Sequence, residues 1–173
     1  MNDPTSMLQL LAAEGPHLEY ADQLMLFGRL VGSWDLDMTA FDPDGSSRNL
    51  VGEWRFGWVL GGRAVQDVLV TRSPDGKLLG FGSTLRSFDP KAGVWWIVWQ
   101  DPLAREFGVL LARPDGEGIV LDGQWSIGGD DKRFRWAFSA ITADSFHWEG
   151  RISDDGGRTW RLAEEMQARR RAA

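Results

Sequence analysis

Few side chains in this sequence could move a proton or hold a metal. There is no Cys, and the only His are His17 and His147. Thiolate nucleophiles, disulfides and Cys-ligated zinc or iron–sulfur sites are therefore excluded, and two distant His make a poor basis for a metal site. His147 alternates with Ser145, Glu149 and Arg151 on one face, opposite Phe146, Trp148 and Ile152. It is a candidate acid–base group, but a polar row facing an aromatic one is ordinarily the solvated side of a strand. Glu53, Arg63, Gln66 and Asp67 form a second group around Gly61-Gly62. A carboxyl held inside an aromatic interior loses its water, its pKa rises, and it can serve as a general acid or base. Glu53 and Asp67 are candidates for that role, and Arg63 and Gln66 for ligand binding. The competing reading is an ion pair of Glu53 or Asp67 with Arg55 or Arg63 on the outside or the rim. Gln66 and Asp67 are adjacent, so only one of them can face an interior.

The aromatic content is unusual, with ten Trp and nine Phe against one Tyr. Trp54, Trp58 and Trp96 are the candidate ligand-binding rings. Trp95 and Trp99 share a face while Trp96 takes the other, so the strand bearing them presents aromatic surface on both sides. That surface serves a cavity wall, an exposed patch or a homodimer contact. A net charge of -6 and a pI near 4.9 argue against a nucleic-acid surface, which needs clustered cations. The longest apolar stretch, Val94 to Trp99, is far short of the roughly 20 residues that span a bilayer, and no basic residue precedes Arg29. The expectation is a cytoplasmic protein with neither nucleic-acid nor membrane partners. Nucleophile elbows, phosphate-binding loops, dinucleotide fingerprints, His-Glu-x-x-His and EF-hand loops do not occur, which leaves the common hydrolase and nucleotide mechanisms without support.

The elements that must hold these residues follow from periodicity. At 173 residues the chain suits one domain. Residues 1–29 carry helical spacing: Asp3 caps and Pro4 starts a first helix ending at Gly15-Pro16, and Tyr20, Leu24 and Phe27 mark one face of a second. This segment reads as a lid or plug. Residues 30–167 switch to period two, punctuated by Pro43-Asp44-Gly45, Pro74-Asp75-Gly76, Asp89 to Gly93, Pro114-Asp115-Gly116 and Gly128-Gly129-Asp130-Asp131. Strands are expected near 30–41, 49–60, 63–72, 78–88, 94–100, 105–113, 118–127, 133–141, 145–153 and 158–167, with a basic tail at 168–173. Ten hairpin-linked strands hide their edges most simply as an all-β, antiparallel up-and-down barrel with aromatics inside, a two-sheet sandwich being the alternative.

The helix leading into Leu30-Val31-Gly32-Ser33-Trp34 resembles the start of calycin-type barrels, the lipocalin, fatty-acid-binding and nitrobindin superfamily. Glu53 to Trp58, Gly62 to Asp67 and Asp155 to Trp160 resemble more narrowly a group of uncharacterised bacterial lipocalin-like proteins. The resemblance implies a barrel that binds a small molecule, with Trp34 packed across its closed end. The glycine-rich signature of nitrobindins is not matched by Asp35-Leu36-Asp37-Met38, so no haem or other cofactor is implied. Ser153 to Trp160 fits the Asp-box pattern Ser-x-Asp-x-Gly-x-Thr-Trp, whose chemistry is that of a turn rather than of catalysis. Three functions fit these observations. The leading one is a binder of a small hydrophobic or aromatic molecule. The others are a cofactor-independent isomerase or cyclase and an interaction protein with a filled core.

Overall fold

The computed structural model describes residues 4–124 and 132–172. The chain begins with helix α1 (Pro4–Leu11), the two-residue strand β1 (Ala12–Ala13), a 3-10 turn at Leu18–Tyr20 and helix α2 (Ala21–Gly28). Ten longer strands follow: β2 (Gly32–Phe41), β3 (Ser47–Val59), β4 (Ala64–Arg72), β5 (Leu78–Asp89), β6 (Val94–Asp101), β7 (Glu106–Asp115), β8 (Gly118–Gln124), β9 (Arg133–Ser139), β10 (Ser145–Ser153) and β11 (Arg161–Arg170). Each pairs antiparallel with its neighbours in sequence, and β11 returns to β2, so the ladder is continuous. This is a closed up-and-down barrel rather than a sandwich. Closure leaves no unpaired edge among the ten long strands, which removes the hazard that a free edge carries. β1 adds a short ladder on β3 through Ala12 opposite Val59 and Ala13 opposite Trp58.

Three sequence expectations need revision. Only α2 acts as a plug, with Leu24 and Phe27 buried; α1 lies outside and leaves Met7, Leu8 and Leu10 exposed. The first helix stops at Leu11 because the chain there turns into β1, with Leu60 N–H bonded to the Leu11 carbonyl at 2.9 Å. β11 runs to Arg170, so Arg169 and Arg170 are strand residues. The expected Asp3 cap and the Gly128 to Asp131 turn lie outside the described residues.

Alternation separates the two surfaces. Along β2, Trp34, Leu36, Met38 and Ala40 are buried while Asp35 and Asp37 are exposed. The barrel end next to α2 is closed by packing. Trp34 is fully buried there, its Nε1 donates to the Leu30 carbonyl at 2.8 Å, and the Arg170 guanidinium stacks 4.0 Å from its ring. Phe27 enters from α2 and meets Trp95 edge-on at 4.9 Å, a favourable aromatic geometry. Gly28 is fixed by the same packing, since a Cβ there would run into the Trp58 ring. The opposite end is not plugged by α2, and the interior beneath it holds the space described next.

Candidate functional site

A cavity of about 270 Å³ opens at the end of the barrel away from α2. Trp54 of β3, Trp99 of β6, Phe134 and Trp136 of β9 and Trp148 of β10 form its walls, with Leu69 and Thr84 also lining it. Trp99 and Trp136 meet edge-on at 5.9 Å, and Trp136 and Trp148 lie 5.7 Å apart. Trp99 covers Gly82, where a side chain would occupy the position of its ring. Phe41, Asp42, Pro43, Arg48, Arg151 and Arg161 contribute the mouth. A second compartment of about 310 Å³ adjoins the first, and Arg48, Leu69, Trp99, Glu106 and Glu164 line both.

The polar groups of this space are incompletely satisfied. Trp54 Nε1, Trp148 Nε1 and Thr84 Oγ1 are buried and have no hydrogen-bond partner among the described residues. An unpaired buried polar group costs on the order of 1–3 kcal/mol, so three on one cavity call for an explanation. Glu106 accepts a 3.3 Å bond from Trp99 Nε1, and its pKa is raised mainly by burial. Glu164 is pushed up to about 7, first by burial and then by the charge of Glu106, with Arg48 acting in the opposite direction. Glu106 lies toward solvent, whereas Glu164 is half-buried and the protein around it disfavours the charged form.

Beyond Thr84 lies a buried ion pair. Asp67 and Arg86 approach to 2.5 Å with neither side chain exposed, and Asp67 Oδ1 accepts the Thr84 backbone N–H at 2.9 Å. The Arg86 guanidinium lies between the Phe27 and Phe56 rings, at 5.2 and 5.1 Å. Its contact with Asp67 is close but poorly aligned, and the guanidinium nitrogens find no properly directed acceptor among the described residues. Burial lowers the Arg86 pKa, and the Asp67 charge opposes that shift.

The sequence candidates scatter across this geometry. Trp54 lines the cavity, whereas Trp58 packs under α2 at the closed end and Trp96 lies on the outer face, 48% exposed. Glu53 is outside and pairs with Arg55 at 2.9 Å and Arg171 at 3.1 Å, contacts that hold its carboxyl below the usual range. Asp67 does face inward, but its partner is Arg86 rather than Arg55 or Arg63. Gln66 therefore points out, donating to Ser83 Oγ at 3.0 Å. Arg63 is exposed and lies 2.7 Å from His17 Nε2. His147 is on the outer face near Ser139 and Glu165, at 3.4 and 3.8 Å. In the β10–β11 turn, Asp155 takes the Arg158 and Thr159 amides at 2.9 Å, and the Trp160 ring stacks on Arg135 at 4.6 Å. Among the described residues no group of three or more His, Asp and Glu is arranged to hold a metal ion, and no helix is long and apolar enough to cross a membrane.

The sequence reading missed Glu106, Glu164 and Arg86. Parity held the signal, since Glu106 is in step with inward Leu110 and Ala112, and Glu164 with Met166.

The closed ten-stranded antiparallel barrel has counterparts among solved structures. It is similar to Rv2717c from M. tuberculosis, with a TM-score of 0.67, 18% identity, and coverage of 88% of this chain and 99% of that one. It is also similar to the S-type phycobiliprotein lyase CPES from Guillardia theta, with a TM-score of 0.61, 13% identity, and coverage of 91% and 99%. No protein-family model matches the sequence, and no curated protein matches it.

Proposed function

We propose that the protein binds a small molecule with an apolar, aromatic body in the Trp-walled cavity. The supporting observation is that four indoles and three residues with unpartnered polar atoms, Trp54, Trp148 and Thr84, line one cavity, where a stacked ligand carrying acceptor groups would find donors. A volume of about 270 Å³ takes roughly nine waters at about 30 Å³ each, which limits the ligand to one or two rings. Native mass spectrometry of the purified protein, joined to Trp-quenching titration with neutral naphthylmethanol, tests the reading. Saturable one-to-one binding that weakens in Trp148→Phe is expected. A titration without saturation would refute it.

Glu164 favours a second reading, a cofactor-independent isomerase or cyclase. A carboxyl with a pKa near 7 at a cavity wall can give or take a proton at neutral pH. The fold is shared with a protein named as a lyase, which is compatible with catalysis in such a barrel but carries no chemistry over. Conversion of any co-purifying molecule by the parent, absent in Glu164→Gln, would support this reading. Equal conversion by both would end it.

A further inference from the structure

The charges around the cavity are unevenly partnered. At the mouth, Arg48 pairs with Asp42 at 3.6 Å, Arg151 with Glu149 at 2.9 Å and Arg161 with Asp154 at 3.8 Å, all with substantially exposed side chains. Asp101, near Glu106 in the second compartment, is saturated by the backbone amides of Phe81, Leu103 and Ala104. Glu106 has one indole N–H, and among the described residues Glu164 has neither a hydrogen bond nor an ion pair. Among the described residues the two carboxyls thus have no cation within ion-pair distance, Arg48 acting on Glu164 only from farther off, while the outer cations have their acids. Independently, Trp54, Trp148 and Thr84, each more than nine-tenths buried, present unpartnered polar atoms to the same cavity.

We propose that the ligand is an aromatic amine whose ammonium is received by Glu106 and Glu164 at the junction of the two compartments. The inference rests on the cavity being the binding site. An ammonium between the two carboxylates relieves their mutual repulsion and supplies the charged donor that neither has. The ring system stacks among the indoles with an acceptor toward Trp54 and Trp148, while the neutralised arginines at the rim contribute no net attraction for an acid.

Three probes of matched size separate the possibilities: naphthylmethylamine, naphthylmethanol and naphthoate, titrated by calorimetry into the full chain at pH 8 and pH 6. The amine is expected to bind about tenfold tighter than the alcohol at pH 8, the ratio one charge-assisted contact supplies. Its advantage should shrink at pH 6, where Glu164 is protonated, with Glu106, Asp101, Asp42, Arg48, Arg151 and Arg161 as the other charged groups lining the space. Glu106→Gln/Glu164→Gln should remove the amine's advantage, bringing the amine-to-alcohol affinity ratio to about one. The exposed Glu106→Gln single variant provides the same comparison if the double variant is misfolded by circular dichroism. Amine and alcohol binding alike, or an advantage that survives the variants, overturns the proposal while leaving the cavity a binding site. Naphthoate binding tightest overturns it in favour of the arginine rim. If no probe binds, the underlying reading falls with it.

Discussion

Removing Asp67 should unfold the protein more readily than removing Arg86, and removing both should cost less than the sum. Both side chains have zero exposure and meet at 2.5 Å, so either one left alone is a charge in a low-dielectric interior. The two orphans differ. An isolated carboxyl can escape by taking up a proton, whereas a guanidinium cannot give one up. Asp67→Leu strands Arg86 between Phe27 and Phe56 and releases the Thr84 amide, and should cost about 3–5 kcal/mol. For a domain of this size that is a fall in Tm of roughly 6–20 °C. Arg86→Met should cost about 2–3 kcal/mol. In the double variant an apolar pair fills the same space, so its cost should fall at least about 3 kcal/mol short of the summed single effects. Urea unfolding followed by Trp fluorescence gives all four corners of the cycle. Additive single effects, with coupling under about 1 kcal/mol, would mean that the pair is not formed in solution. The cavity floor would then lose its anchor, since Thr84 is held by Asp67.

Glu164→Gln tests the raised carboxyl by linkage. The folded state holds its proton up to about pH 7 against an ordinary 4.5, so the stability it contributes is present below pH 4.5 and lost as pH rises through 7. The variant should therefore match the parent at pH 4.5 and exceed it at pH 8 by up to about 3 kcal/mol, as read by urea midpoints; equal stabilities at pH 8 would contradict the burial argument. Trp34→Ala should cost about 3–5 kcal/mol, because it empties the closed end and frees the Arg170 stack; a melting point within two degrees or so of the parent would show that Trp34 does not close the barrel. Trp54→Phe removes an unpartnered buried N–H while keeping a ring, so stability should change by less than about 1 kcal/mol while naphthylmethanol affinity falls. A large loss of stability with unchanged affinity would reverse that assignment.

Alternation made the barrel legible because β2, β9 and β10 contrast aromatic and polar faces clearly, and the turn residues fix where one strand hands over to the next. Where the contrast fails, the sequence is silent about direction. Val94 to Trp99 is apolar on both faces, because the outer surface of β4 to β7 also carries Val68, Phe81, Trp96, Val98, Val109 and Leu111, each 38% exposed or more. Nothing in that run tells Trp96 from Trp95, and the outward ring was taken for an inward one. The same ambiguity in Val68-Leu69-Val70 hid which of Gln66 and Asp67 turns in.

Glu164 is in step with inward Met166, and a strand irregularity lies directly beside it. The β10–β11 register slips between Gly150 and Arg151, so Gly150 faces Glu164 and Arg151 faces Leu162, leaving Ala163 as an extra residue. Such a bulge bends the strand and re-aims side chains, and here both Ala163 and Glu164 reach the cavity, which strict alternation forbids. The irregularity and the perturbed carboxyl coincide. The closed end packs Phe27 against Trp95 and Phe138, and Trp34 against Phe146, with the Trp34 N–H satisfied. The cavity end keeps two indole N–H groups, a hydroxyl and a carboxyl without partners. A chain selected for stability alone would fill that end with the residues that fill the other. Under the proposed ligand-binding function the unpartnered groups on the cavity have a reason, because groups satisfied within the protein are no longer available to a ligand.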